Sequence, residues 1–385
     1  MAKQLVPING SVLRWAREEV GLTEAALAEA VKVEPADVVA WESGHASPSK
    51  GAFTKIVEVL KRPSAVFFLP KPPLAAGLPT SLRNAPGLGS HKLDQAEVRQ
   101  IRWARRLQDV VGWALRDAGE PALDFPRYSL EDDPVEVAAT ERARTEVTPA
   151  EQLEWDNASE AFRVWRGVLE ARGVLVLQLS IGKGNIRGFS AWDDRAPLVA
   201  VNTSYHPTAR IFTLFHELAH LLTRTDAACL RFILPTDRDS QLERWCERFA
   251  AAFLIPPDSL RVVAGWYGAS EAVKVTDADV ARKIANRFKV STRATSLRLQ
   301  ELGLAPSTLY GAVEAMLASL DWNTGGGGGG GQPAPEKRLG QLGSRVTEVL
   351  LDAAASGRLN RRDLSDYLNL TTGQVADLAS LVAER

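Results

Sequence analysis

The chain has 385 residues, 45% of them hydrophobic, and 46 Lys and Arg against 47 Asp and Glu give a net charge of −1. This length and composition predict two or three soluble domains with apolar cores, and the charge balance argues against a protein that coats nucleic acid. The two cysteines, Cys229 and Cys246, fit a reducing compartment and cannot build a disulfide framework. Without an apolar signal segment or a long apolar run, we expect a cytoplasmic protein with no membrane span.

Residues 1–70 contain short motifs at the spacing of an XRE-type helix-turn-helix domain, which this region resembles. The motifs lie at residues 12–17, 21–23, 27–30, 41–44 and 48–49. In that fold the third helix enters the major groove and reads bases with Arg, Lys, Asn, Gln or Ser. The corresponding stretch here, 34–41, is acidic and apolar, and the charges of the whole region balance. We therefore favour protein interaction or a vestigial role over sequence-specific DNA binding, and DNA binding stays open.

Residues 71–90 are rich in proline and glycine, which predicts a linker. A helical connector is predicted over 91–150, with one long helix over 97–118. Its arginines are interleaved with Trp103 and Trp113, a pattern that can bind a nucleic-acid strand by charge and stacking. Acidic residues on the same stretch offset that charge, so a solvated arginine face over packed tryptophans is the favoured interpretation.

Three short runs rich in valine and leucine predict a small β-sheet. They cover residues 173–179, 187–192 and 196–202 and are bounded by Gly, Pro, Asp and Asn. The edge of the strand at 188–192 can accept an extended segment of substrate as an added strand, and a sheet with a structural role only is the alternative left open. Tyr205 and His206 follow the sheet, and a structural role is favoured for both over contact with a developing oxyanion.

Residues 216–220 read His-Glu-Leu-Ala-His, the H-E-x-x-H pattern, inside an apolar stretch. Residues four apart lie on one helix face, so His216 and His220 can converge on one cation while Glu217 reaches a water beside it. Burying three ionisable groups in such a stretch is costly unless they are paired or bind a metal. The pattern therefore predicts a zinc site with Glu217 as general base, and a third ligand has to follow downstream.

A second amphipathic helix is predicted over 240–256, and it supplies carboxylates at Glu243 and Glu247. Two histidines with one carboxylate form a standard catalytic zinc set. From the helix alone either glutamate can be the third ligand, and the other can hold a ligating histidine in place. Cys246 lies in the same helix, where a buried inert thiol is favoured over contact with the site.

Beyond residue 265 the sequence predicts more helices. Residues 266–322 form a helical segment that packs on the core, with apolar residues at helical spacing across 277–304. Residues 323–335 contain seven consecutive glycines and predict a flexible linker. Residues 336–385 then predict a small C-terminal module of three short helices, with no feature that indicates chemistry.

The middle of the chain resembles the ImmA/IrrE family of metallo-endopeptidases. Residues 209–214 resemble the approach to the family's metal helix, and residues 243–256 resemble its second signature. This alignment places Glu243 on the family's glutamate ligand and Glu247 where Asn or Asp is usual. Ala219 stands where Gly is common, a small-for-small change.

The resemblance implies a zincin-like metallopeptidase core over residues 151–265, flanked by helical domains, in a mainly α protein with a small β-sheet. It implies Zn²⁺ held by His216, His220 and Glu243, with Glu217 as base. It also implies a protein substrate, namely a partner XRE-type transcriptional repressor cut in a stress, DNA-damage or mobile-element response. The alternative is a non-enzymatic DNA-binding regulator or antitoxin-like protein with a structural metal site. The residues do not indicate an oligomeric state.

Overall fold

The structure, a computed structural model, describes residues 5–19, 22–60, 64–69, 95–181, 186–224, 228–230, 237–270, 272–319 and 332–383. The predicted linker over 71–90 and the glycine run lie outside the described residues. Contacts divide the chain into two compact units, Met1–Leu78 with Lys92–Trp103 and Pro79–His91 with Ala104–Arg385. The finer domain boundaries given above stay predictions.

The first unit contains four helices and a short 3₁₀ turn. They are α1 (Gly10–Glu19), α2 (Glu24–Val31), α3 (Pro35–Glu42), α4 (Lys50–Leu60) and the turn at Ser64–Phe68. The Thr23 hydroxyl caps α2 by accepting from the backbone N–H of Ala26. Lys32, with φ of 65°, ends α2 in the left-handed conformation, so α3 begins after a tight turn. The predicted helix-turn-helix geometry is present.

One buried ion pair crosses the core of the first unit. Arg17 on α1 donates from Nη2 to Glu42 Oε2 on α3 at 2.8 Å, and both side chains are nearly inaccessible. The hydrogen bond with Glu42 raises the pKa of Arg17 above its ordinary value, against the opposing effect of burial. Because each charge is buried against the other, removing one partner leaves an uncompensated charge in the core.

Helix α5 covers Gln95–Asp117, close to the predicted long helix. The later helices follow in chain order. They are α6 (Pro134–Ala143), α7 (Pro149–Glu154), α8 (Ala158–Ala171), α9 (Pro207–Leu222), α10 (Asp237–Leu254), α11 (Pro257–Gly265), α12 (Ala278–Phe288), α13 (Thr292–Glu301), α14 (Leu309–Ser319), α15 (Ala334–Ala355), α16 (Arg361–Leu368) and α17 (Thr372–Ala383). No helix among the described residues is long and apolar enough to cross a membrane.

A four-stranded mixed sheet has the order β1-β3-β2-β4. The strands are β1 (Leu175–Leu179), β2 (Ile186–Ala191), β3 (Leu198–Asn202) and β4 (Ala228–Leu230). β1 is parallel to β3, whereas β2 is antiparallel to both of its neighbours. The three predicted strands are present, and the predicted fold class of mainly helix with a small sheet is confirmed.

One apolar core joins the sheet to the helices on its inner face. Its members include residues of β1, β3, α8, α9 and α10, all buried. They include Val176, Val201, Trp165, Leu214, Phe215, Phe249 and Phe253. Because α9 packs against β2 and β3 on one side and α10 on the other, polar groups on α9 are enclosed by packed elements.

The structure corrects part of the predicted edge for substrate addition, because β4 pairs with β2 at Ile186 and Phe189 and at no later residue of β2 among those described. β2 pairs with β3 on one side and with β4 on the other, where Phe189 faces Ala228 across the antiparallel ladder. β2 is therefore an interior strand over that pairing, and its backbone groups there are already used. The prediction missed this because β4 has only three residues and no alternating pattern in the sequence.

The predicted helical pattern over 277–304 is two helices, not one. Lys289 adopts the left-handed conformation with φ of 56° and ends α12. The Ser291 hydroxyl then accepts from the Ala294 N–H and begins α13. Both helices contribute buried apolar residues to the core, so the predicted packing of this segment is present.

The C-terminal residues form three helices, as predicted, and the first of them packs on β1. The carbonyl of Gly340 accepts from Arg166 Nη1 at 2.6 Å and from Gln178 Nε2 at 2.9 Å. Gly343 interrupts α15 with φ of 82°, and a Cβ there would lie 1.8 Å from Glu170 Oε1. Glycine is favoured here because φ of 82° with ψ of 170° is a backbone conformation that residues with a Cβ rarely adopt.

Candidate metal centre

Helix α9 carries the H-E-x-x-H residues into the core. Pro207 occupies its first turn, and the His206 ring nitrogen accepts from the Thr208 N–H at the N-terminus. Ten residues later His216 is 8% exposed, while Glu217 and His220 are fully buried. These polar side chains are surrounded by apolar ones on the same helix, so they are enclosed with one another and with groups from β2 and α10.

Glu243 on α10 meets both histidines. Its carboxylate oxygens lie 3.2 Å from His216 Nε2 and 3.5 Å from His220 Nε2, and the two Nε2 atoms are 3.3 Å apart. The three residues form a group whose ligand atoms all lie within 4.8 Å of one another. The arrangement brings two imidazoles and one carboxylate to one point.

These separations fit a tetrahedral zinc site. Bonds of about 2.0–2.2 Å at tetrahedral angles separate ligand atoms by roughly 3.3–3.5 Å. The two Nε2 atoms are 3.3 Å apart, and each has one oxygen of Glu243 nearby, Oε2 at 3.2 Å from His216 and Oε1 at 3.5 Å from His220. The donor set, two neutral nitrogens and one carboxylate oxygen, is one that zinc takes in catalytic sites while keeping a position open. His216, His220 and Glu243 would hold the ion.

Glu247 stands outside this group. It lies one helical turn beyond Glu243 and is exposed, and the cluster that could hold a metal does not include it. Its charge still acts on the site, because it helps to raise the pKa of His216. Of the two glutamates that the sequence offered, the structure brings Glu243 to the histidines.

The two histidines respond differently to their surroundings. Burial lowers the pKa of His216, but the hydrogen bond with Glu243 and the charges of Glu217, Glu243 and Glu247 outweigh burial and raise it. Burial, aided by the charge of His216, lowers the pKa of His220 to about 3. His220 is therefore neutral near pH 7, the form in which an imidazole nitrogen can bind a metal.

Cys246 lies behind the metal-facing side of His220. Its Sγ is 3.7 Å from His220 Nδ1, the ring nitrogen that does not face Glu243. The thiol is fully buried, and burial raises its pKa well above the ordinary value, with the nearby glutamates adding to the effect. A neutral buried thiol is unreactive, and the burial favoured from the sequence is present. The thiol also contacts the predicted ligand His220, which is the alternative that the sequence analysis disfavoured.

Two residues on β2 complete the surroundings of Glu217. Ser190 donates from Oγ to Glu217 Oε2 at 2.8 Å, and both side chains are buried. Gly188 lies two residues earlier, and a Cβ there would be 3.6 Å from Glu217 Cγ. The sequence predicted the strand β2 but not the contact of Ser190 with Glu217. The only sign of this contact in the sequence is the Gly-x-Ser spacing of Gly188 and Ser190.

His206 lies at the far end of α9 from the metal centre, and Tyr205 contacts Arg187. His206 caps the N-terminus of α9, and its ring nitrogen contacts Thr208 Oγ1 at 2.9 Å. Ten residues of helix separate it from His216, a rise of about 15 Å. Tyr205 lies beside the guanidinium of Arg187 at 5.3 Å from its ring centroid. These positions agree with the structural role favoured for both residues.

The group on α9 and α10 and the helices α2, α3 and α4 of the first unit each lie in a region that matches a protein-family model. Residues 169–300 match the family model of peptidase family M78, described as the IrrE N-terminal-like domain. Residues 13–67 match a helix-turn-helix family model. Both matches confirm the resemblances seen in the sequence. No curated protein matches the chain significantly.

Proposed function

We propose that the protein is a zinc-dependent endopeptidase. The observation that supports this is the group of His216, His220 and Glu243, whose separations suit a tetrahedral ion, beside the buried carboxylate of Glu217. The match to a peptidase family covers all four residues. Together they supply a metal-binding set and a base within one enclosed region.

A zinc ion held there would supply Lewis-acid polarisation of the scissile carbonyl and a lowered pKa for water. The residues of the chain do the remaining work. The Glu217 carboxylate takes a proton from the attacking water as the oxygen adds to the carbonyl carbon. As the C–N bond breaks, the same carboxyl group returns the proton to the departing amine nitrogen. The products are a carboxyl terminus and an amino terminus.

We propose further that the substrate is a partner XRE-type repressor, cut in response to stress, DNA damage or a mobile-element signal. The joined peptidase-like and helix-turn-helix domains support a regulatory role. A peptidase active on any unfolded chain would harm the cell, so we expect contacts away from the scissile bond to select the substrate. Because β4 covers β2 only as far as Phe189 among the described residues, an added substrate strand would pair beyond Phe189 or elsewhere on the sheet.

The test is to incubate the zinc-loaded protein with the XRE-type repressor encoded beside it and with casein, each with and without single-stranded DNA as a trial activator. We expect one or a few cuts in the repressor and little loss of casein. Glu217→Gln, loaded with zinc, is the matched control for a contaminating protease. Broad casein degradation, or an intact repressor under every condition, would contradict the proposal.

A second candidate function is a non-enzymatic DNA-binding regulator with a structural metal site. The match of residues 13–67 to a helix-turn-helix model favours it. It predicts tight duplex binding by a protein that cuts nothing. The same preparation, assayed for cleavage and for duplex binding, separates the two candidates.

A further inference from the structure

We propose that Ser190 is a positioning residue that fixes the carboxylate of Glu217 for proton transfer, and that Gly188 makes this contact possible. The inference rests on the proposed peptidase function, since that function makes Glu217 the base. It adds that a residue of β2 holds the base.

The contact is short and enclosed. Ser190 Oγ lies 2.8 Å from Glu217 Oε2, with the serine 1% exposed and the glutamate fully buried. An ionised carboxylate only accepts hydrogen bonds, so the serine hydroxyl is the donor. A donor fixed on a strand restricts the rotation of the long glutamate side chain, which matters because proton transfer requires hydrogen-bond geometry. As a neutral group, serine holds the base without cancelling its charge.

Gly188 provides the room for this arrangement. A Cβ on this residue would lie 2.4 Å from Thr213 Cγ2 and 2.7 Å from the Ala200 carbonyl oxygen. Any side chain would therefore push α9 away from β2 and lengthen the contact between Ser190 and Glu217. Gly188 and Ser190 are two apart on β2 and therefore face the same side of the sheet. On the side that faces α9, β2 has space at Gly188 and a hydrogen-bond donor at Ser190.

A purely structural role for the hydrogen bond between Ser190 and Glu217 would have consequences that differ from those of a positioning role. Its loss would lower the melting temperature and the zinc content together, and the rate of cleavage would fall in proportion to lost zinc. A positioning role predicts a lower kcat with unchanged KM and unchanged zinc. It also predicts that threonine, which keeps the hydroxyl, restores the rate, whereas alanine does not.

The experiment compares Ser190→Ala and Ser190→Thr in the full chain with Ser296→Ala as the control. Ser296 is another buried serine, on α13, whose hydroxyl donates to the Arg293 carbonyl at 2.9 Å. Zinc content, kcat and KM on the repressor substrate, and crystal structures of the zinc-loaded variants are measured. We expect Ser190→Ala to lower kcat by about tenfold to a hundredfold, the usual effect of removing a partner behind an active residue.

Ser190→Thr should recover most of that rate, and Ser296→Ala should leave kcat unchanged. An unchanged kcat in Ser190→Ala, or a loss that matches lost zinc, would overturn the proposal. The crystal structures separate this result from failure of the proposed function. If the wild type cuts no substrate, a Glu217 carboxylate that moves in Ser190→Ala, but not in the Ser296→Ala control, still supports positioning. A carboxylate that stays in place overturns it.

Discussion

The metal centre and helix α3 are both parts of regions that match family models, yet their side chains differ in kind. At the metal centre two buried histidines meet Glu243, whose side chain is 44% exposed, and Glu217 is buried beside them. On α3 the buried residues are Val38, Trp41 and Glu42, and the carboxylate of Glu42 is paired with Arg17 in the core. The exposed residues are Pro35, Asp37 and others without base-reading donors. A fold match therefore supports chemistry only where the chemistry-bearing positions also match.

The largest expected effect concerns Glu217 at the metal centre. Glu217→Gln removes the base but no proposed ligand, so cleavage should fall by about a hundredfold to ten-thousandfold. Zinc content, measured by elemental analysis after dialysis, should stay near one equivalent. Retained proteolysis, or loss of the metal, would show that Glu217 has another role.

The second prediction concerns the core of the helix-turn-helix unit. Glu42→Ala leaves Arg17 buried without its main partner, which should cost about 3–5 kcal/mol of unfolding free energy. Glu29→Ala, at an exposed position on α2, is the control and should change stability little. Denaturant unfolding followed by circular dichroism measures both. A small effect in Glu42→Ala would show that water or other groups compensate the arginine.

The third prediction separates the two glutamates of α10. Glu243→Ala should lower zinc affinity by more than about a hundredfold, because outer partners of a site cost about tenfold to a hundredfold and a direct ligand exceeds them. Glu247→Ala should lower zinc affinity by about tenfold or less, since the Glu247 side chain is exposed and acts on His216 through its charge. Competition with a chromogenic chelator gives both affinities. The reverse order would transfer the ligand role to Glu247.

The sequence predicted much of this site because its chemistry has a fixed spacing. Two histidines four apart on an apolar helix define one face, and a second helix with carboxylates supplies the remaining donor. The choice between Glu243 and Glu247 needed either the family resemblance or the structure, because the register of two packed helices is set by side-chain contacts that no single helix reveals.

Other features were missed for a related reason. The contact of Ser190 with Glu217 and the pairing of β2 with β4 join residues distant in the chain, and neither leaves a periodic pattern. The break between α12 and α13 depends on one left-handed lysine, Lys289, a conformation that lysine rarely adopts. Long periodic elements could be predicted, whereas single turns and pairings could not.

The smallest expected effect lies at the N-terminus of α3, where Glu34 and Asp37 are exposed. In a helix-turn-helix complex this end of the third helix approaches DNA, and carboxylates there repel phosphates. The full chain should therefore bind duplex DNA no more tightly than about 10⁻⁶ M at physiological salt, with little sequence preference. Asp37→Asn keeps the side-chain shape and removes one charge. Because one exposed charge near a phosphate contributes at most about 1 kcal/mol in water, affinity for DNA should rise only about twofold to fivefold. Glu58→Gln, on α4, is the control for the change in net charge. Fluorescence anisotropy over a range of salt concentrations measures all three proteins. A nanomolar, sequence-selective complex of the wild type would contradict this prediction, because it would mean that the third helix reads DNA without the usual donors. It would also favour the DNA-binding regulator over the peptidase as the function of the protein.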